Sequence, residues 1–186
     1  MKPEETARNL IEAHNKLREK IRERWQRTLP FGEEIQDRWE KADFLGFGKG
    51  TSVYDSSYVY GDVTVGENTW IGPFTLLDGS GGLVIGSYCS VSAGVHIYTH
   101  DTVKWALSGG RAEYERSPVV IGDCCYIGPS TVISSGVKVG NRCVIGASSF
   151  VNRDVPDNTI VLGIPALKRG RVRVYDDGRV EFDYDD

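Results

Sequence analysis

A chain of 186 residues, 40% hydrophobic and 26% charged, has room for one packed domain with appendages and is not a disordered polymer. Its net charge of −4 argues against nucleic acid as a partner, which calls for a clustered basic face. No stretch approaches the roughly 20 apolar residues of a membrane span, and the N-terminus, MKPEETARNL, lacks an apolar signal core, so a cytoplasmic protein is expected.

Residues 1–42 read as helical. Leu10, Leu17, Ile21 and Trp25 recur at helix spacing with charges between them. Leu29-Pro30-Phe31-Gly32 breaks this helix, and Glu33 to Lys41 suggests a second, short one. The dense charge reads as a solvated helix face within an oligomer rather than as a nucleic-acid tail.

From Val53 the period changes to six: VYDSSY, VYGDVT, VGENTW, IGPFTL, then IGSYCS and VSAGVH, then IGDCCY, IGPSTV, ISSGVK, VGNRCV and IGASSF. Every hexad opens with Val or Ile, and its fifth residue is small or β-branched. A short strand and a turn every six residues make one side of a triangular coil. The opener points inward and stacks on its equivalents, and the fifth residue points inward near a corner. Glycine after the opener permits a tight backbone. A single coil buries nothing, so many must stack. Cys89, Cys125 and Cys143 all fall on the small inward position, where they are expected to fill the core as free thiols. A hydroxyl in place of Cys125 is expected to lack a partner there and to cost about 1–3 kcal/mol. Cys124 falls off this position and has no assigned role.

The repeat is interrupted twice. Leu77 to Ile85 is a step of eight, with the extra residues in Asp78-Gly79-Ser80-Gly81-Gly82. Between Ile97 and Ile121 lies a long excursion, assigned to 98–118, with His100 at its root. Long loops in compact domains are functional or disordered far more often than structural. Leu77 and Ile97 are 20 residues apart, one coil plus the two-residue insertion, so Asp78 is expected one coil below the loop root. After Val151 the repeat decays. Residues 167–186 read as a hairpin about Asp177-Gly178 that covers the open end of a solenoid spanning 43–166.

The stretch from about Val53 to Leu167 resembles the hexapeptide-repeat acyltransferases, particularly the maltose and galactoside O-acetyltransferases and related acetyltransferases of surface-polysaccharide clusters. The residues that carry this are His100 before a long loop, the return through Ser117-Pro118-Val119-Val120-Ile121-Gly122-Asp123, the run Cys125-Tyr126-Ile127-Gly128, the last coil from Ile145 to Pro156, and the ending Gly163-Ile164-Pro165-Ala166. The resemblance implies a mainly β chain forming a left-handed parallel β-helix, with an N-terminal helical segment and a C-terminal hairpin. It implies a homotrimer with active sites between neighbours and acetyl-coenzyme A as co-substrate. It makes His100 the catalytic base, places Tyr126 near the thiol arm and Ala147 by the pantetheine, and sets Asn152 and Arg153 close to the coenzyme's far end. Lys168 and Arg169 lie near basic positions that meet its phosphates. Tyr126 replaces the tryptophan common in relatives, and the loop and the region 78–82 are atypical of the sugar enzymes.

Acyl transfer from a thioester needs a base for the acceptor's proton, and histidine suits that task. His14 lies on the N-terminal helix and reads as a surface residue. His96 closes a hexad at an outward position. Asp78, His96 and Trp105 are the candidate acceptor contacts, although Asp78 also reads as the start of a Gly-rich turn. The expected acceptor is a sugar hydroxyl in polysaccharide or lipopolysaccharide biosynthesis. The alternatives are N-acetylation of an amino sugar, perhaps nucleotide-linked, and a non-catalytic scaffold. A zinc enzyme of the γ-carbonic-anhydrase type would need about three converging histidines, and only His96 and His100 lie in the repeat, so no metal is expected.

Overall fold

The computed structural model describes residues 2–185. Three helices precede the repeat: α1 (Pro3–Trp25), α2 (Phe31–Ile35) and α3 (Arg38–Phe44). Helix α1 starts on a proline, with Glu4 and Glu5 in its first turn and Arg22 and Arg24 in its last, an arrangement that suits the helix dipole. None of its residues is buried. It leans on α2 through His14, whose Nδ1 lies 2.6 Å from Oε2 of the fully buried Glu34 side chain and whose ring meets Phe31 edge-on. His14 is therefore a packing residue rather than a free surface one. The single helix expected over Glu33 to Lys41 is two. Gln36 turns extended, and Asp37 caps α3 by accepting from the amides of Trp39 and Glu40. Charge in this segment also clamps the helices to the solenoid. Glu33 accepts from the Asp55 and Ser56 amides and from the Ser56 hydroxyl, and Lys41 Nζ donates to the carbonyls of Tyr54, Asp55 and Ser57.

The repeat forms a triangular stack of parallel coils. The first face carries Ser52–Val53, Trp70–Ile71, Ser90–Val91, Tyr126–Ile127, Val144–Ile145 and Thr159–Leu162. The second carries the start of Tyr58–Val65, the start of Leu76–Ile85, and then His96–Ile97, Val132–Ile133 and Phe150–Val151. The ends of the two long strands, with Val119–Ile121 and Lys138–Val139, form the third. Partners are 18 residues apart where the repeat is unbroken, as in Ser52↔Trp70 and Tyr126↔Val144. The step is 20 at Trp70↔Ser90 and 36 at Ser90↔Tyr126, so the insertion and the loop are extruded without disturbing the phase.

That phase keeps the openers inside. Val53, Ile71, Leu77, Val91, Ile97, Ile127, Ile133 and Ile145 are all completely buried. Glycine after the opener serves close approach: a Cβ on Gly128 would lie 2.5 Å from the amide nitrogen of Ala147 in the next coil. The fourth residue of the turn is left-handed even where it is not glycine, at Asn68, Phe74, Tyr88, Cys124, Ser130, Arg142 and Ser148. Cys124 is such a turn residue, exposed on an edge. The tail continues the first face. Thr159–Leu162 pairs antiparallel with Leu167–Val174, which pairs with Val180–Tyr184.

The fifth position does more than fill a corner. Thr51, Ser57, Thr69 and Thr131 donate to the carbonyls of Gly66, Gly72, Gly86 and Gly146, at 2.6–3.0 Å. The cysteines do the same: Cys89 to Gly122, Cys125 to Gly140 at 3.0 Å, and Cys143 to Pro156. Each is a hydrogen-bond donor to a carbonyl one coil away. The expectation of an unpartnered hydroxyl at 125 is thereby corrected. Hydrogen bonding with Cys143 and Cys89 on either side, then burial, pushes the Cys125 thiol up and keeps it protonated. Cys125→Ser is expected to cost less than about 1 kcal/mol and Cys125→Ala about 1–3 kcal/mol, because alanine orphans the Gly140 carbonyl. Urea unfolding of both variants checks the order, and a serine variant as unstable as the alanine one contradicts the bond.

Candidate active site

The insertion in 78–82 and the root of the long loop come together on the edge between the second and third faces. Leu77 pairs with Ile97, one coil on, which sets Asp78 beneath Thr99 and His100. The Asp78 side chain turns inward instead of outward to solvent. Its Oδ1 accepts from the Ser80 amide at 2.9 Å, and its Oδ2 accepts from the Thr99 amide at 2.8 Å and faces His100 Nδ1 at 2.6 Å. The Thr99 hydroxyl donates to the Asp78 carbonyl and receives the Gly81 amide, each at 2.8 Å. The loop's return strand closes the knot, with the Ser117 amide donating to the Thr99 carbonyl. Only glycine fits at 81, since a Cβ there would lie 2.3 Å from the Thr99 carbonyl oxygen.

This network fixes both partners. Asp78 is 1% exposed, and burial alone would push its carboxyl up. The hydrogen bonds from Ser80, the Thr99 amide and His100 together outweigh burial and hold it well below the usual carboxylate range. An ionised carboxylate at Nδ1 places the imidazole proton there and leaves Nε2 as the acceptor. Nε2 takes no hydrogen bond from the described residues, and 35% of the His100 side chain is exposed. The arrangement presents a fixed base to the outside. Asp78, expected to contact an acceptor, stands behind the histidine, because its oxygens are occupied and shielded from solvent.

The other candidates are spread over the solenoid. His96 is half-buried on the second face, with its Nδ1 3.3 Å from the Tyr98 hydroxyl. Trp105 lies on α4 (Val103–Leu107) within the loop, 41% exposed and edge-on to Tyr114 at 5.5 Å. Tyr126 projects from the first face between Ser90 and Val144, and Ala147 stands at the edge where that face meets the second. Asn152 and Arg153 follow Val151 on His100's own edge, farther along the stack. Lys168 and Arg169 lie on the strand that prolongs the first face, with Lys168 Nζ 3.5 Å from Asp185. The width of the second face thus separates His100 from Tyr126 and Ala147 within one chain. Among the described residues no three His, Cys, Asp or Glu side chains converge as metal ligands, and no helix is long and apolar enough to cross a membrane.

The edges also differ in finish. Where the third face meets the first, side chains form a ladder: the amides of Glu67, Ser87, Asp123 and Asn141 donate to Ser87 Oγ, Asp123 Oδ1, Asn141 Oδ1 and Asp157 Oδ1. At the edge of Ala147 the equivalent positions are Pro73, Ala93, Pro129 and Ala147, whose side chains carry no hydrogen-bonding group. The carbonyls of the first three accept amides from the next coil, and the Ala93 and Ala147 amides meet no side-chain acceptor among the described residues.

Residues 118–153 match the family described as bacterial transferase hexapeptide (six repeats). The galactoside O-acetyltransferase of Escherichia coli K12 is 30% identical over 122 residues, which cover 55% of this chain and 60% of that protein. The chain thus spans little more than half the length of the curated relatives it matches. A maltose O-acetyltransferase from Clostridium difficile 630 superposes with a TM-score of 0.57 at 26% identity, covering 88% of each chain. AntD, an N-acyltransferase from Bacillus cereus solved with dTDP and 3-hydroxybutyryl-CoA, superposes with a TM-score of 0.58 at 19% identity, over 72% of this chain and 89% of that one.

Asp78→Asn tests the buried carboxylate. Its folded-state value lies below the unfolded one, so its contribution to stability is full above about pH 4 and is lost as pH falls through the lower folded value. By urea unfolding the variant is expected to be about 1–3 kcal/mol less stable at pH 7, with the deficit narrowing below about pH 4. A deficit unchanged down to pH 2 contradicts an ionised Asp78.

Proposed function

We propose that this chain is a hexapeptide-repeat acyltransferase and that it transfers an acetyl group from acetyl-coenzyme A to a sugar hydroxyl in polysaccharide or lipopolysaccharide biosynthesis, a reading supported by the matched repeat and the similar acetyltransferases. The Asp78–His100 pair carries this reading. A scaffold has no use for a buried carboxylate that orients an imidazole at a loop root, whereas acyl transfer needs a fixed base. His100 Nε2 takes the acceptor's hydroxyl proton as its oxygen attacks the thioester carbon. The C–S bond then breaks, and the imidazolium returns the proton to the departing thiolate. Asp78 stays ionised throughout and stabilises the imidazolium between the two steps. N-acetylation of an amino sugar uses the same pair, and the fold shared with an N-acyltransferase keeps it as the second reading.

The donor is assigned to the first face and the Ala147 edge. Tyr126 stands outward on that face, the Ala147 amide lies at its edge, and Lys168 and Arg169 continue the same face toward the coenzyme's phosphates. Asn152 and Arg153 stand on the edge of His100 and complete the groove from the other side. Because base and donor face are on different parts of one prism, a neighbouring chain must supply one to the other. A homotrimer, with the loop of each chain arching over the next, meets that need. The acceptor enters beside His96 and the loop that carries Trp105.

His100→Ala is expected to sediment as three chains like the wild type and to bind coenzyme A unchanged, since the core does not use this side chain. With the best acceptor from a panel of sugars, amino sugars and nucleotide sugars, its kcat is expected to fall about 10²–10⁴-fold. Coenzyme A release reports the rate. A variant with near wild-type kcat overturns the mechanism.

A further inference from the structure

The outward positions of the second face hold a strip of aromatic residues, of which only His96 has a role above. Tyr58 and Tyr60 lie on the first coil, and His96 and Tyr98 on the third. Leu76 and Asp78 lie on the coil between. The register pairs Tyr58 with Leu76, Tyr60 with Asp78 and Leu76 with His96. Tyr60 is thus the ladder neighbour of the carboxylate that holds His100.

The geometry of the rings is that of an open platform. Tyr58 is 62% exposed and Tyr60 49%, with their centroids 6.1 Å apart and their planes tilted by 35°. Tyr98 is half-buried and stands edge-on to His96, with its hydroxyl toward His96 Nδ1. Neither the Tyr58 nor the Tyr60 hydroxyl takes a hydrogen bond from the described residues. Burying the apolar body of a tyrosine while leaving its hydroxyl free to bond suits an amphipathic partner. A run of adjacent exposed rings on an otherwise regular face marks a contact surface. Strand spacing of about 4.8 Å makes the strip about 10 Å long from Tyr58 to His96.

The charge of the strip narrows the ligand. Tyr58, Tyr60, Leu76, His96 and Tyr98 include no lysine or arginine, and the one carboxylate among them, Asp78, is consumed beneath His100. The rings themselves offer a nucleotide or other phosphorylated group no cation; Arg116 stands opposite His100 in the loop's short ladder, outside the strip. A neutral pyranose fits: its C–H face is slightly positive and lies on the negative face of an aromatic ring, while its hydroxyls reach the tyrosine hydroxyls at the rim.

We propose that Tyr58, Tyr60 and Tyr98 form the acceptor platform of this chain and seat a neutral sugar ring with one hydroxyl toward His100. The assignment rests on the acetyltransferase reading and deepens it. It selects a glycan over a nucleotide-linked sugar as the acceptor, because recognition runs through ring faces without a phosphate site.

Tyr60→Ala and the double variant Tyr58→Ala with Tyr60→Ala test it, with maltose as the neutral disaccharide probe. Both residues are exposed, so unfolding temperature and coenzyme A affinity are expected to stay at wild-type values. The acceptor KM is expected to rise roughly tenfold in the single variant and further in the double, with KM for acetyl-coenzyme A unmoved and kcat changed less. Tyr60→Phe is expected to lose only part of the effect. If wild-type enzyme acetylates maltose and both variants keep its KM, the platform is overturned while the enzyme reading stands. Preference of the wild type for a nucleotide sugar over maltose also overturns it. If no acceptor turns over, the enzyme reading fails, and saturation-transfer NMR with maltose decides the platform alone. Transfer in the wild type that is lost in the double variant supports it, and none in the wild type overturns it.

Discussion

The registration of one coil on the next is the constraint from which the rest follows. Each opener must land on the opener one coil away, or an aliphatic side chain leaves the core. Leu77 on Ile97 and Ile127 on Ile145 show the rule, and both pairs are fully buried. Any added sequence must therefore be pushed out at an edge. The residues added within 78–82 and the 36-residue step at the loop are both accommodated this way, on the same edge and one coil apart. Extrusion sets two backbone amides on that edge, those of Ser80 and Thr99, around one buried carboxylate.

Those amides explain why an aspartate can be buried there without a cationic lysine or arginine beside it. Ser80 and Thr99 donate to it from backbone positions set by the insertion and by the loop root. A buried carboxylate without such donors would take up a proton. With them it stays charged and fixes the histidine. The Gly-rich composition of 78–82 follows from the same crowding, since Gly79 and Gly81 each meet a carbonyl oxygen at 2.3 Å from where a Cβ would be. Local backbone, buried charge and presented base are thus one unit, and the loop that begins at His100 grows out of it.

The repeat was legible in the sequence because its physics is periodic. Openers recur every six residues, so fold, phase and the place of Asp78 beneath the loop root follow from counting. Three features escaped counting. The inward cysteines read as apolar fillers, yet Cys125 donates to Gly140, a role that shows only once the next coil's carbonyl is in place. Asp78 read as a possible acceptor contact, because spacing gives a residue's level and not the direction of its side chain. The tyrosines of the second face carry no signal in the repeat, because outward positions carry no periodic demand: at one place in the hexad stand Tyr58, Leu76, His96, Val132 and Phe150. The helices were harder still. Glu33 and Lys41 read as solvated charge, and their partners are carbonyls and amides more than ten residues away.

The central claim is that Asp78 holds His100 with a proton on Nδ1 and Nε2 bare, ready to take a proton from the acceptor. Nitrogen NMR of protein labelled with ¹⁵N-histidine reads this directly. In the neutral form of the ring, the His100 signals are expected to show a protonated Nδ1 with its proton far downfield and an unprotonated Nε2, and this pattern is expected to disappear in Asp78→Asn. A His100 ring that carries its proton on Nε2, or that exchanges freely between the two tautomers, contradicts the account.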